Sequence, residues 1–254
     1  IQLVYSHYLQ NGNHSAVTGG TGTERLTIYS PDITIKKQVD SFRSFSINTG
    51  VDIISSASTD NINFVVSSAS RQDNHMYVNA EYNQDARNKR SGYGVNGYFS
   101  IESDYLSVGA ALSANFSNTD HSREFSGSFE FFLDDLRWGR LNGERPLKLV
   151  YPDELRGTDW FNTYKRQSYN LNLGLRQIIN KKMVLAIFPG VAYQHGLLAT
   201  PFHRVYFKDS SVHVERLPGN RFKIPLGLQL NSFIGNKYVL NSYYRFYWDN
   251  FGIA

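Results

Sequence analysis

The sequence predicts an all-β protein, an antiparallel transmembrane β-barrel of the bacterial outer-membrane kind, and three observations carry that prediction. The first is alternation. Phe222, Ile224, Leu226, Leu228 and Leu230 alternate with Lys223, Pro225, Gly227, Gln229 and Asn231, which puts every second side chain on one face of a strand. The second is the aromatic ending of oily faces: Tyr238, Leu240, Tyr244, Phe246 and Trp248 share a face, interrupted by Ser242, beyond a tight turn at 234–237. Barrel strands cross hydrocarbon in about 9–11 tilted residues and carry aromatic girdles at both interfaces. The third is the rhythm of connections, short polar turns on one side and mostly long loops on the other, as such barrels have.

Taken in order, residues 1–10 read as the first strand, followed by a Gly-rich loop at 11–22. Residues 24–38 place Leu26 and Ile28 on one face, but Ile33 and Ile35 resume at an odd offset beyond Ser30-Pro31. A bulge at Pro31 is expected to restore the face. After a turn near Asp40, Phe45, Ile47, Val51 and Ile53 alternate with Ser46, Asn48, Gly50 and Asp52, and a Ser/Asn-rich loop covers 55–73. Met76, Val78, Ala80 and Tyr82 oppose Tyr77, Asn79, Glu81 and Asn83; past a basic turn at 87–90, Tyr93, Val95, Phe99 and Ile101 oppose Asn96, Tyr98, Ser100 and Glu102. Ser103-Asp104 is the tightest connection before Leu106, Val108, Ala110, Leu112, Ala114 and Phe116.

Phe125, Phe129, Phe131 and Leu133 alternate with Ser126, Ser128, Glu130 and Asp134 ahead of the longest loop, 135–165. Tyr169, Leu171, Leu173 and Leu175 oppose Asn170, Asn172 and Arg176; after a turn at 180–182, residues 183–194 continue the pattern, with Pro189 weakening the ladder. A loop at 196–220 leads to the final hairpin. The pattern gives about eleven strands in one domain spanning 1–254. Single-chain bacterial barrels hold an even number, so the full protein is expected to have about 12–14, with the chain continuing beyond both of its ends.

Composition agrees. Aromatics are 15% of the chain, with 17 Tyr against 2 Met, and no run approaches a helical membrane span. Zero Cys excludes disulfides and thiolate metal sites. A net charge of +4 without a basic run or binding motif argues against nucleic acid as a partner. A soluble lipocalin-like barrel or sandwich also alternates, but an outward face such as Leu226-Leu228-Leu230 would precipitate it.

On the inward faces the sequence places a charged network: Asp52, Glu81, Glu102, Glu130, Asp134, Arg176, Lys223, Arg245 and Asp249. An ionic lattice filling the lumen is the plainer reading, since an unpaired charge away from water is costly; a charged pore or ligand site is the functional one. Arg176, Lys223 and Arg245 are expected to meet carboxylates such as Asp249 or Glu130. Candidate loop residues for binding are Asp60, Ser56, Ser68, His203, Arg204, Trp138 and Trp160. Hydroxyl-rich segments at 55–58 and 67–70 suit capped turns folded against a barrel mouth as well as they suit a docking surface. Gly19, Gly20 and Gly22 lack the Lys-Ser/Thr of a phosphate loop. His195, His203 and His213 match no metal-ligand spacing, and neither GxSxG nor HExxH occurs, so no metal, cofactor or catalytic residue is expected.

The segments at 14–24, 55–62 and 67–70, TPFHRVYF at 200–207, VERLP at 214–218 and YYRFYWD at 243–249 together resemble a family catalogued as domain of unknown function 3570. The resemblance implies an outer-membrane barrel of Gram-negative bacteria without assigned activity, often encoded beside a small lipoprotein, a thioredoxin-like protein and a flavin transferase. Because loops as long as 135–165 and 196–220 can fold over a barrel and present binding surface, the expected role is a non-enzymatic, membrane-embedded subunit or scaffold of a larger outer-membrane assembly. A porin or channel for small polar solutes is the alternative, and an outer-membrane lipid hydrolase the second. The expected surroundings are outer-membrane lipid and lipopolysaccharide, with a small lipoprotein or another envelope protein as partner.

Overall fold

The computed structural model describes residues 1–12, 24–55, 72–102, 105–136, 164–198, 204–206, 212–214, 217–235 and 237–252. Nine strands follow one another as an antiparallel meander: β1 (Gln2–Gly12), β2 (Glu24–Gln38), β3 (Arg43–Ser55), β4 (Gln72–Asp85), β5 (Ser91–Ile101), β6 (Leu106–Ser117), β7 (Arg123–Asp135), β8 (Lys165–Asn180) and β9 (Met183–Gly196). A small separate hairpin, β10 (Arg204–Tyr206) and β11 (Val212–Val214), lies in the connection to β12 (Asn220–Ile234) and β13 (Tyr238–Asp249). The main sheet has 11 strands in the order β1 to β9, then β12 and β13. Its two edges, β1 and β13, do not pair with each other, so the sheet is not closed.

The register sorts side chains as the alternation predicts. Leu171, Leu173 and Leu175 share one face with Phe222, Ile224, Leu226, Leu228 and Leu230, and Asn170, Asn172, Arg176, Lys223 and Gln229 take the other. The same division holds along most of the sheet, although Val4, Tyr8, Leu26 and Ile28 of β1 and β2 lie on the polar face, and burial is inside-out. Leu112 is 59% exposed and Leu173 48%, whereas Asp134 and Asp249 are each 1% exposed. In water, leaving a side chain of that size uncovered forfeits about 1.5–3 kcal/mol, repeated here on strand after strand.

The bulge expected at Pro31 is absent. Residues on both sides of it keep one register with β3, from Thr27 opposite Ser55 to Gln38 opposite Ser44, and only Ser30 and Pro31 drop out of that ladder. Proline has no N–H to donate, so a rung lapses without an extra residue being inserted, while Pro31 still sits opposite Tyr5 of β1. Leu26 and Ile28 therefore lie on the polar face, at its loop end. Pro189 and Pro225 do the same between β8, β9 and β12, and the irregularity that does occur is near Ile178 and Asn180.

At the short-turn edge, consecutive hairpins are laced together. Asp85 N–H donates to Phe42 O (2.8 Å), Ser117 N–H to Arg90 O (2.6 Å), Ile178 N–H to Ser122 O (2.7 Å) and Phe233 N–H to Lys182 O (2.7 Å). Lys89 and His121 adopt positive φ (55° each), which their turns require of residues other than glycine.

Candidate functional site: the polar face

The polar face carries its charges where strand register places them. On β2, Asp32 accepts from Tyr77 Oη (2.7 Å) and Asn48 Nδ2 (2.7 Å). That contact exists because Gly50 leaves room for the Tyr77 side chain; a Cβ there would stand 2.5 Å from the Tyr77 hydroxyl. Gly109 likewise lies under the Phe132 ring, which packs 5.4 Å from Tyr98. On β4, His75 Nδ1 is 3.0 Å from Asp52, its Nε2 is 3.8 Å from Glu102, and the ring stacks on Tyr77. Glu81 accepts from Asn83 (2.7 Å) and Ser46 (3.3 Å), and Glu130 from Asn170 (3.3 Å).

Among the described residues, three aspartates are buried at the loop edge, Asp134, Asp135 and Asp249, and the first and last are each held by an arginine. Asp134 accepts from Arg166 Nε (2.7 Å), Tyr105 Oη (2.9 Å) and Ser107 Oγ (2.7 Å). Asp249 accepts from Arg221 through Nε (3.1 Å) and Nη2, from Tyr247 Oη (2.9 Å) and from Phe251 N–H (2.8 Å). Both are saturated with donors, as a carboxylate away from water must be.

The expected partnerships differ in detail. Arg176 pairs with Glu124 (3.1 Å), not with Glu130 or Asp249, because register sets it directly across from Glu124 on β7. Lys223 stands directly opposite Asp249, whose carboxylate Arg221 holds from the same strand as Lys223. Arg245 forms no ion pair among the described residues. It borders a concavity of about 490 Å³ with Asn115, Ser128, Asn172, Gly190 and Gly227. Asp32, Arg166, Arg221 and Glu124 were not singled out from sequence. Arg166 and Arg221 lie just ahead of the first clear oily residue of their strands; carrying the alternation one or two steps further would have reached them.

Of the loop candidates, Ser56, Asp60, Ser68, Trp138, Trp160 and His203 fall outside the described residues, and Arg204 opens β10. Of the hydroxyl-rich segments, Ser55 lies within the described residues, at the end of β3, where its Oγ accepts from Thr27 N–H (3.0 Å). At the opposite edge, His121 Nδ1 is 3.1 Å from Ser117 Oγ, but the nearby Glu124 is engaged with Arg176. No carboxylate orients that imidazole among the described residues, so the pair lacks the third member a nucleophile needs.

The fold and this face define the class: an all-β protein built on a single antiparallel sheet with segregated polar and apolar faces. The chain belongs to the family described as "Protein of unknown function (DUF3570)", whose profile matches residues 69–254. The motifs at 14–24 and 55–62 lie ahead of the matched region. No curated protein matches the chain.

Proposed function

We propose that the chain forms the wall of a transmembrane β-barrel in the bacterial outer membrane, acting without catalysis as the membrane-embedded subunit or scaffold of a larger envelope assembly. The observation that carries this reading is the continuous exposed apolar face and its ordering by height. Near the short turns it carries Phe45, Tyr82, Tyr93, Phe116 and Phe125; near the loop edge Phe131, Tyr169, Tyr193 and Phe222 are register neighbours, with Trp248 6.4 Å from Phe222. Between these belts the face is mostly aliphatic, with Phe129, Tyr244 and Phe246 among the leucines and valines, as suits a hydrocarbon slab flanked by two interfaces. Closure of the sheet follows from the same environment, because unpaired backbone groups facing lipid cost several kcal/mol each.

A second reading, a channel for small polar solutes, draws support from the concavity on the polar face, floored by Ser128, Asn172, Gly190 and Gly227. Stepwise currents across planar bilayers from purified protein favour the channel; their absence, together with recovery of a stable envelope complex from native membranes, favours the scaffold.

The membrane reading itself is open to cysteine scanning, since the chain has no Cys of its own. In reconstituted protein, nitroxide-labelled Leu173→Cys and Leu226→Cys are expected to collide with oxygen dissolved in lipid, and labelled Asn172→Cys with a water-soluble relaxant. Equal exposure of all three sites to the aqueous relaxant would refute the proposal.

A further inference from the structure

Charge on the polar face is divided by strand. From β2 to β7 it is acidic: Asp32, Asp52, Glu81, Glu130 and Asp134 all point there, against one Lys or Arg among the described residues, Lys36. On β8, β9, β12 and β13 it is basic: Arg166, Arg176, Arg221, Lys223 and Arg245, against one carboxylate among the described residues, Asp249. Where the halves meet, Asp134–Arg166 (2.7 Å) and Glu124–Arg176 (3.1 Å) join across the β7–β8 boundary. Away from that boundary Arg221 holds Asp249 and His75 stands between Asp52 and Glu102, but the remaining charges are not paired with one another among the described residues. Asp32, Glu81 and Glu130 are held by neutral donors, and Arg245 has no ionic partner among the described residues.

Glu81, Glu130 and Lys223 share one register row. Asn96 and Ala111 separate the first two; Asn170 and Ala192 separate the second from Lys223. A stretch built only to neutralise itself would set opposite charges side by side, as at the β7–β8 boundary. Here charges of one sign share each half instead, at an electrostatic cost that a counter-charge supplied by a ligand would lower. The face is also hollow: the concavity of about 490 Å³ runs from β6 to β13, with neutral side chains on its floor and Arg245 at its side. That size suits a small molecule.

We infer that the polar face binds a small solute carrying separated positive and negative charges, its cation turned toward the Glu81 and Glu130 side and its anion toward Lys223 and Arg245. The inference rests on the reading that this face is turned inward. A field running across the enclosed space orients a dipolar molecule and discriminates against one of single sign, which meets attraction from one half and repulsion from the other. Within a low-dielectric wall, screening by salt is weaker than on an open surface.

The test is titration calorimetry on the purified chain in detergent with three probes of one length: γ-aminobutyrate, butyrate and butylammonium. The zwitterion is expected to bind about tenfold more tightly than either singly charged probe. Arg245→Gln should remove that advantage while leaving butylammonium unchanged, and Glu130→Gln should remove it while leaving butyrate unchanged. Heat-modifiable electrophoretic mobility reports whether each variant is folded. Equal affinity for all three probes, or no binding by any, overturns the inference. Because the cysteine labels report lipid contact separately, a protein that passes that assay and binds no zwitterion refutes this inference alone.

Discussion

Asp134 is held by three donors at the loop edge, and Asp249 mirrors it on the last strand. Such sites are sensitive to losing one partner and tolerant of losing both. Arg166→Ala leaves a carboxylate at 1% exposure without its cation and is expected to cost about 3 kcal/mol, the low end of the range because Arg166 itself keeps contact with solvent. Replacing the pair by Leu and Met should cost distinctly less, and unfolding in urea followed by gel mobility separates the two outcomes. At the opposite edge, Asp40 accepts from Arg43 through its guanidinium and N–H, and from Phe42 N–H (2.8 Å). Chiefly the Arg43 guanidinium, then the Phe42 amide, hold its carboxyl below 3.8. A depressed carboxyl contributes stability above its unfolded pKa and loses it as pH falls through the lower folded value. The carboxyl carbon of Asp40 should therefore titrate below 3.8, and Arg43→Ala should return it toward that figure; an unmoved midpoint would show that the ion pair is not the cause.

Strands respond to substitution according to face. Leu226→Arg puts a charge on the apolar face of β12 and is expected to destabilise by about 2–4 kcal/mol near a bilayer midplane, falling toward zero close to either interface. Gln229→Arg, on the polar face of the same strand, is the matched control. Similar losses at both would contradict the assignment of faces. The alternation made these faces legible beforehand, because a period of two leaves no freedom once one residue is placed: Asn172 and Leu173 are separated by a single step and point to opposite sides. What the pattern misjudged was proline. Apolar residues at an odd spacing around Pro31 suggested an inserted residue, but the strand runs straight through and lets two oily side chains share the polar face with Asp32. The ion-pair partners were illegible for a related reason. Alternation gives a residue's side but not its height, and height is set by the turns, whose register puts Arg176 opposite Glu124 and Asn170 opposite Glu130.

At the scale of the whole molecule, the sheet is held by its backbone rungs and by side-chain bonds on the polar face, with few buried apolar side chains among the described residues to reinforce them, Tyr164 at 2% exposure and Ala186 at 6% among them. Cohesion then depends on the ladder's continuity, and, besides the lapse at Pro31, the ladder is interrupted across three adjacent strands. Pro189 and Pro225 silence rungs between β8, β9 and β12, near Leu173 and Gly174, Gly190 and Val191, and Ile224 and Pro225. Gly190 lies close beneath the Pro225 ring there, where the hollow of the polar face is also found. Those missing rungs act as a crease. Curvature concentrates where backbone bonds offer least resistance, so deuterium should enter a narrow diagonal band across these three strands well before it enters the rungs above and below. If the sheet were pulled apart sideways, the tear would begin along that line rather than at the continuous β3–β4 seam, where every rung from Arg43 to Ser55 is in place.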